Sequence, residues 1–166
     1  MTRGYISIGS NIDKEKNILS ALRALSLYFG GLIVSSTYES EPVGFSGETF
    51  HNLVVGFDSG LDVKTIAKEL RQIELEHGRT RNCKKFSSRT LDLDLILYGD
   101  LIVSDGYLQI PRDEIERYAF VLEPLAEIAG DEKHPVTGTD YREMWEKFDK
   151  SDLRQKRLKP GWSSIE

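Results

Sequence analysis

Hydrophobic and polar positions recur along this chain in blocks whose period switches between two and three-to-four, with glycine, proline and small polar residues between the blocks. Gly4–Gly9 alternates large and small residues and predicts a strand, closed by Ser10-Asn11 as a turn or cap. From about Lys14 to Phe29, Ile18, Leu22, Leu25 and Phe29 fall at helical steps, and Gly30-Gly31 supplies the stop. Leu32–Tyr38 and Leu53–Phe57 are β-branched or aromatic runs that predict paired strands, and Ser40–Thr49, with its proline and glycines, predicts a loop. Val63–His77 predicts a second amphipathic helix: Asp62 is the candidate N-cap, Ile66, Leu70 and Ile73 share a face, and Gly78 follows the end. Leu91–Tyr98 predicts a strand, followed by turns at Gly99-Asp100 and Asp105-Gly106 around short extended pieces. Tyr141, Met144, Trp145 and Phe148 have helical spacing. The order β-α-β-β-α-β with hairpin-like joints argues α+β, with helices on an antiparallel or mixed sheet.

Composition narrows the class. The chain has 166 residues, a length that suggests about one domain, and we expect it over 1–149 with a short tail at 150–166. Cys83 is the only cysteine, which excludes a disulfide scaffold and a four-cysteine zinc site. No apolar run approaches the roughly 20 residues of a membrane helix, and Met-Thr-Arg-Gly at the start lacks the apolar centre of a signal peptide. The expectation is a cytoplasmic protein with no membrane partner. With 22 Lys+Arg against 27 Asp+Glu the net charge is -5, so no nucleic-acid partner is expected and an anionic ligand requires a local cluster.

Such a cluster is written between residues 79 and 94. In Arg89-Thr90-Leu91-Asp92-Leu93-Asp94-Leu95, a strand places Asp92 and Asp94 on one face and the leucines on the other. Paired carboxylates on a rigid strand suit Mg²⁺ completed by water and substrate phosphates, and equally suit a half-exposed edge strand with solvated aspartates. Just upstream, Arg79–Arg89 holds three Arg and two Lys with no acid. A loop of that kind is either a solvated basic segment or a set of cations that closes over phosphates. Each clue supplies what the other needs, which favours a Mg²⁺–polyphosphate site. No G-x-x-x-x-G-K-[ST] sequence is present, so a Walker-type NTPase is excluded.

The loop Ser40–Asn52 carries two phenylalanines, and Asn52 offers both a donor and an acceptor to a heterocycle edge, with Phe50 or Phe120 available to stack. The same residues read as ordinary core and turn positions. His51, His77 and His134 have no metal-ligand spacing, and no G-x-S-x-G elbow occurs. Cys83 lies among cations that lower a thiol's pKa, although a lone thiol is more often incidental.

Together these motifs resemble the 6-hydroxymethyl-7,8-dihydropterin pyrophosphokinases of folate biosynthesis. The resemblance rests on Gly9-Ser10-Asn11, Ser35-Ser36-Thr37-Tyr38 with Glu41-Pro42-Val43-Gly44, Asn52, Ile73-Glu74 with Gly78-Arg79, and above all Arg89-Thr90-Leu91-Asp92-Leu93-Asp94. It continues through Ala119-Phe120-Val121-Leu122, Pro124-Leu125 and Glu127-Ile128-Ala129 and fades after about Gly138. It implies a monomeric α+β protein of ferredoxin-like topology that moves pyrophosphate from ATP to a hydroxymethyl-dihydropterin, releasing AMP.

By the same resemblance Asp92 and Asp94 hold two Mg²⁺ ions, and Arg79 and Arg89 clamp phosphates, with Arg81 and Lys85 as weaker candidates. Glu74, Phe86 and Arg112 fall on the ATP side. Ser40, Pro42, Val43, Phe50, Asn52 and Phe120 fall on the pterin side. The chain departs from the family at two points: Pro111-Arg112 stands where Pro-His is usual, and Tyr118 stands six residues on, where an Arg is usual. A second reading follows from those departures, a pterin-binding or regulatory paralogue with weakened catalysis.

Overall fold

The computed structural model describes residues 1–41, 48–78 and 91–158. In chain order its elements are β1 (Thr2–Ser10), α1 (Lys14–Phe29), β2 (Ile33–Val34), β3 (Tyr38–Ser40), β4 (Phe50–Ser59), α2 (Val63–Glu76) and β5 (Asp92–Tyr98). They are followed by β6 (Val103–Asp105), β7 (Leu108–Ile110), α3 (Glu114–Arg117), α4 (Ala119–Ala129), α5 (Tyr141–Lys147) and β8 (Gln155–Arg157). The main sheet runs β5-β1-β4-β3-β8, with β2 also on β4, and every pairing is antiparallel. β6 and β7 form a separate hairpin. With β1 and β4 as inner strands and α1 and α2 as crossovers, this is the α+β, ferredoxin-like arrangement expected from the sequence.

Local chemistry explains the boundaries. Asp62 Oδ1 accepts the Thr65 N–H at 2.8 Å and starts α2, and the chain leaves that helix through Gly78 at φ 92°. Gly30 takes φ 88° after α1 and donates its N–H to the Ser26 carbonyl. Both helices bury their apolar stripe on one face of the sheet, where Ile18, Leu22, Leu25, Ile66, Leu70 and Ile73 meet Ile6, Ile8, Leu53, Leu93 and Leu95. The other face forms a second core, in which Val54, Ile96 and Leu97 pack with Val121, Leu122 and Leu125 of α4 and Tyr141 of α5. The sheet is therefore covered on both faces by helices.

Four features differ from the sequence expectation or add to it. The run Leu32–Tyr38 divides into β2 and β3, because Ser35 to Thr37 bond elsewhere. The Ser35 hydroxyl accepts the Val54 N–H at 2.9 Å, and the Ser36 N–H reaches the Glu127 carboxylate at 3.0 Å. In β5 the alternation holds through Leu95, and then a register shift opposite Tyr5/Ile6 sends both Ile96 and Leu97 to the α4 face. The segment around Ala119 forms helix α4 despite Pro124 within it. Finally, Gln155–Arg157, within the segment expected to be a tail, forms β8 along β3. Among the described residues no helix is long and apolar enough to cross a membrane.

Candidate active site

Register brings the chemistry together. Asp92 lies beside Gly9, Gly9 beside Asn52, and Asn52 beside Tyr38, so one row crosses β5, β1, β4 and β3. The next row holds Asp94, Ser7 and Val54. Since Leu91, Leu93 and Leu95 face the α1/α2 core, both aspartates, each half-buried, project from the α4 face. Asn52 is buried and donates its side-chain N–H to Ser40 Oγ at 2.8 Å. Gly9 is required between the aspartate and the amide: a Cβ there would stand 2.9 Å from Asn52 Oδ1. Phe50 shares the face of Asn52 two positions away, and Phe120 sits in the first turn of α4, stacked on Tyr118 with ring centroids 5.0 Å apart. The start of β4 is anchored from α1 by Lys14, whose ammonium donates to Thr49 O and Oγ1 at 3.1 and 2.7 Å.

A polar cleft of about 240 Å³ opens past the β5 edge, between α2 and the β6–β7 hairpin. Leu70, Arg71 and Glu74 line it from α2, Leu93, Asp94 and Leu95 from β5, and Tyr107, Leu108 and Gln109 from the hairpin, with Arg112 following. Glu74 is buried, and its Oε2 accepts the Leu93 N–H at 2.7 Å, an edge-strand donor with no strand beyond it among the described residues. The Arg71 guanidinium lies 5.7 Å from the Tyr107 ring centroid. Arg112 donates from Nη2 and Nε to Glu114 Oε2 at 2.6 and 3.1 Å, and its backbone N–H bonds Ile96 O. Burial opposes the Arg112 charge, but the Glu114 bond and the fields of Asp94, Glu114 and Asp113 outweigh it and raise its pKa. A fixed positive charge therefore stands within the field of Asp94.

Of the residues singled out in the sequence, Asp94, Glu74 and Arg112 meet in this cleft, and Asp92 lies two positions along the same strand. Ser40, Phe50 and Asn52 form the second group, on the same sheet face as Phe120. Arg79, Arg81, Lys85, Phe86 and Arg89, together with Pro42, Val43 and Cys83, lie outside the described residues. Arg71, Tyr107 and Gln109 were not anticipated. A signal existed for Arg71, since Ala67, Leu70, Arg71 and Glu74 recur at helical steps; none existed for the hairpin residues, which reach the cleft only through the fold. Two of the histidines serve the fold: the two His77 nitrogens lie 2.7 Å from Ile73 O and 2.9 Å from Ser20 Oγ, and His134 Nδ1 accepts from the Val136 and Thr137 N–H groups.

The donor set fits a hard cation. Asp92 and Asp94 present oxygen only, from one face of a hydrogen-bonded strand, and among the described residues no three His, Cys, Asp or Glu side chains cluster as a closed metal site. Two protein carboxylates with the remaining positions left to water and phosphate is the coordination Mg²⁺ favours.

The chain thus joins a ferredoxin-like α+β sheet to a carboxylate pair on an edge strand and an adjoining polar cleft. Residues 5–130 match the family model of 7,8-dihydro-6-hydroxymethylpterin-pyrophosphokinase (HPPK), and the chain belongs to that family. It is 36% identical over 135 residues to the 2-amino-4-hydroxy-6-hydroxymethyldihydropteridine pyrophosphokinase of Haemophilus influenzae, covering 79% of this chain and 84% of that protein. With the Methylorubrum extorquens enzyme of the same name it shares 34% identity, over 93% of this chain and 99% of the relative. The folic acid synthesis protein fol1 of Pneumocystis carinii is 37% identical over 90% of this chain, which spans only 20% of that longer protein. A solved HPPK-DHPS structure in complex with substrates superposes with a TM-score of 0.76 at 13% identity, over 95% of this chain and 46% of that one, and supports the fold.

Proposed function

We propose that this chain carries out its family's reaction in folate biosynthesis, transferring pyrophosphate from ATP to the hydroxymethyl group of 6-hydroxymethyl-7,8-dihydropterin with release of AMP, as a Mg²⁺-dependent cytoplasmic monomer. The observation that carries the reading is the row Asn52–Gly9–Asp92. It sets an amide suited to a heterocycle edge and a carboxylate suited to a metal on one sheet face, two strand spacings or about 10 Å apart. A pterin edge held at Asn52 and Ser40, with Phe50 and Phe120 on its ring faces, points its substituent along this row toward Asp92 and Asp94.

Asp92 and Asp94 would hold two Mg²⁺ ions. When bound, the metal neutralises triphosphate charge and fixes the phosphate acted upon. The chain's own residues supply alignment. The rigid β1–β4–β5 register sets the distance between the reactants, Glu74 holds β5 through the Leu93 N–H, and Arg112 adds positive potential beside Asp94 on the nucleotide side. Arg79 and Arg89, with Arg81, Lys85 and Phe86, complete the nucleotide side in this reading, and Pro42 and Val43 the pterin side. A primary alcohol attacks the β-phosphorus as AMP departs, so the protein has chiefly to orient and neutralise.

Incubation with ATP, Mg²⁺ and hydroxymethyl-dihydropterin tests the proposal, with AMP expected to appear in step with pterin diphosphate. ADP as product, or no turnover at any Mg²⁺ concentration, overturns it. Pterin binding without nucleotide consumption establishes instead the weakened paralogue that Arg112 and Tyr118 suggest.

A further inference from the structure

The last described strand, β8, lies beyond the residues matched by the family model, yet it bonds to the elements that frame the proposed pterin pocket. Gln155 is the register partner of Ser40, whose hydroxyl holds Asn52. From that position its side-chain Nε2 crosses to α4 and donates to Ala119 O at 3.2 Å and Glu123 Oε1 at 2.7 Å. Two residues on, Arg157 donates to Ser36 Oγ at 2.8 Å and to Glu127 Oε2 at 3.2 Å. Ala119, Glu123 and Glu127 are spaced at four, so they form one stripe of α4 facing β3 and β8. Arg157 shares its end of the stripe: Glu127 also takes the Ser36 N–H and hydroxyl and the Tyr38 hydroxyl, which fix it whatever β8 does. Gln155 thus ties the start of α4 to β8, the strand paired with the one that carries Ser40. Phe120 is the next residue after Ala119.

We infer that Gln155 is a positioning residue for the pterin pocket, setting the distance from Phe120 on α4 to Ser40, Asn52 and Phe50 on the sheet. The inference rests on the reading that those four residues hold the pterin. Binding of a flat ring between two walls depends steeply on their separation, because dispersion attraction falls away with a gap of an ångström or less. The bridge between the walls is a hydrogen-bonded amide on the molecule's edge strand, so its loss loosens one wall while both cores stay packed. Nothing in β8 touches the cleft beyond β5, so the nucleotide side is unaffected.

The test uses the full chain and equilibrium titration of hydroxymethyl-dihydropterin and, separately, of a non-hydrolysable ATP analogue with Mg²⁺. Gln155→Leu is expected to weaken pterin binding about fivefold and to raise the pterin KM alike, with kcat and nucleotide affinity within about twofold of the unaltered chain. Gln155→Glu, which sets two carboxylates face to face, is expected to weaken it further. Combining it with Glu123→Gln returns the bond between the two side chains in exchanged places but leaves Ala119 O facing an acceptor, and is expected to restore part of the affinity. Unchanged pterin affinity in Gln155→Leu, equal losses for both ligands, or no rescue by the exchanged pair overturns the inference. A parent chain that binds no pterin overturns the reading of the pocket itself, and the inference with it.

Discussion

On the α4 face of the sheet the polar groups are already bonded to one another: Asn52 to Ser40, Gln155 to Glu123, and Ser36 and Tyr38 to Glu127. Beyond the β5 edge the cleft is lined instead by Asp94, Arg71 and Arg112, groups of full charge, in the company of a few leucines and Tyr107. A neutral heterocycle is recognised by dipoles and surfaces held in advance, and satisfied hydrogen bonds hold them at little cost. A metal–polyphosphate complex brings its own charge, and its side of the site offers charges to meet it, Arg112 already held by Glu114. The bonded network under α4 and the charged cleft past β5 are thus two distinct parts of one site, and substitutions tell them apart.

The largest effect belongs to the charged side. Asp92→Ala and Asp94→Ala are each expected to abolish transfer, by a factor of about a thousand or more in AMP formation. Removing one member of a like-charged pair leaves the melting temperature steady or higher without Mg²⁺. Near-normal turnover in either variant at saturating Mg²⁺ shows the pair to be structural.

Glu74 joins charge to scaffold. Glu74→Ala strands the buried Leu93 N–H and is expected to lower stability by about 1–3 kcal/mol in urea unfolding, while Glu74→Gln, which keeps an acceptor, loses less. On the rigid side, Gly9→Ala pushes on Asn52 Oδ1 and is expected to weaken pterin binding about tenfold with nucleotide affinity unchanged, in paired titrations. Equal loss of both ligands would erase the contrast between the two sides.

The smallest effect is a control away from both. His134 is buried, and burial lowers its pKa below the ordinary 6.5, with Glu116 pulling the other way. The unfolded chain therefore takes up this proton before the folded one. The His134 contribution to stability is complete above about pH 6.5 and is lost as the pH falls below it. His134→Gln is expected to flatten that slope in thermal melts from pH 7 to pH 5, with neither ligand's affinity altered.

Much of this arrangement is legible in the residues. The helix from Lys14 to Phe29 and the Asp62 cap are written in apolar spacing and in short-range side-chain chemistry, which need no partner. The Asp92/Asp94 face follows from a period of two. The phase change at Ile96 and Leu97 was not legible, because a bulge is decided by the partner strand. Helix α4 was hidden by Pro124, a residue that ordinarily ends a helix, and by its apolar composition. Arg71 reaches the cleft from a readable helix face, whereas Tyr107 and Gln109 come to it from a hairpin whose docking is purely tertiary.

An edge strand is a hazard for solubility, since its outward N–H and C=O groups invite a strand from another molecule. β5 carries the site's carboxylates at such an edge, and Glu74 covers the Leu93 N–H with a buried carboxylate that an incoming strand would have to displace. At the opposite edge β8 is three residues long and bears Lys156 and Arg157. The bond that steadies the active strand is therefore also a guard against self-association: in Glu74→Ala the exposed ladder makes aggregation on prolonged warming a separate consequence from lost catalysis.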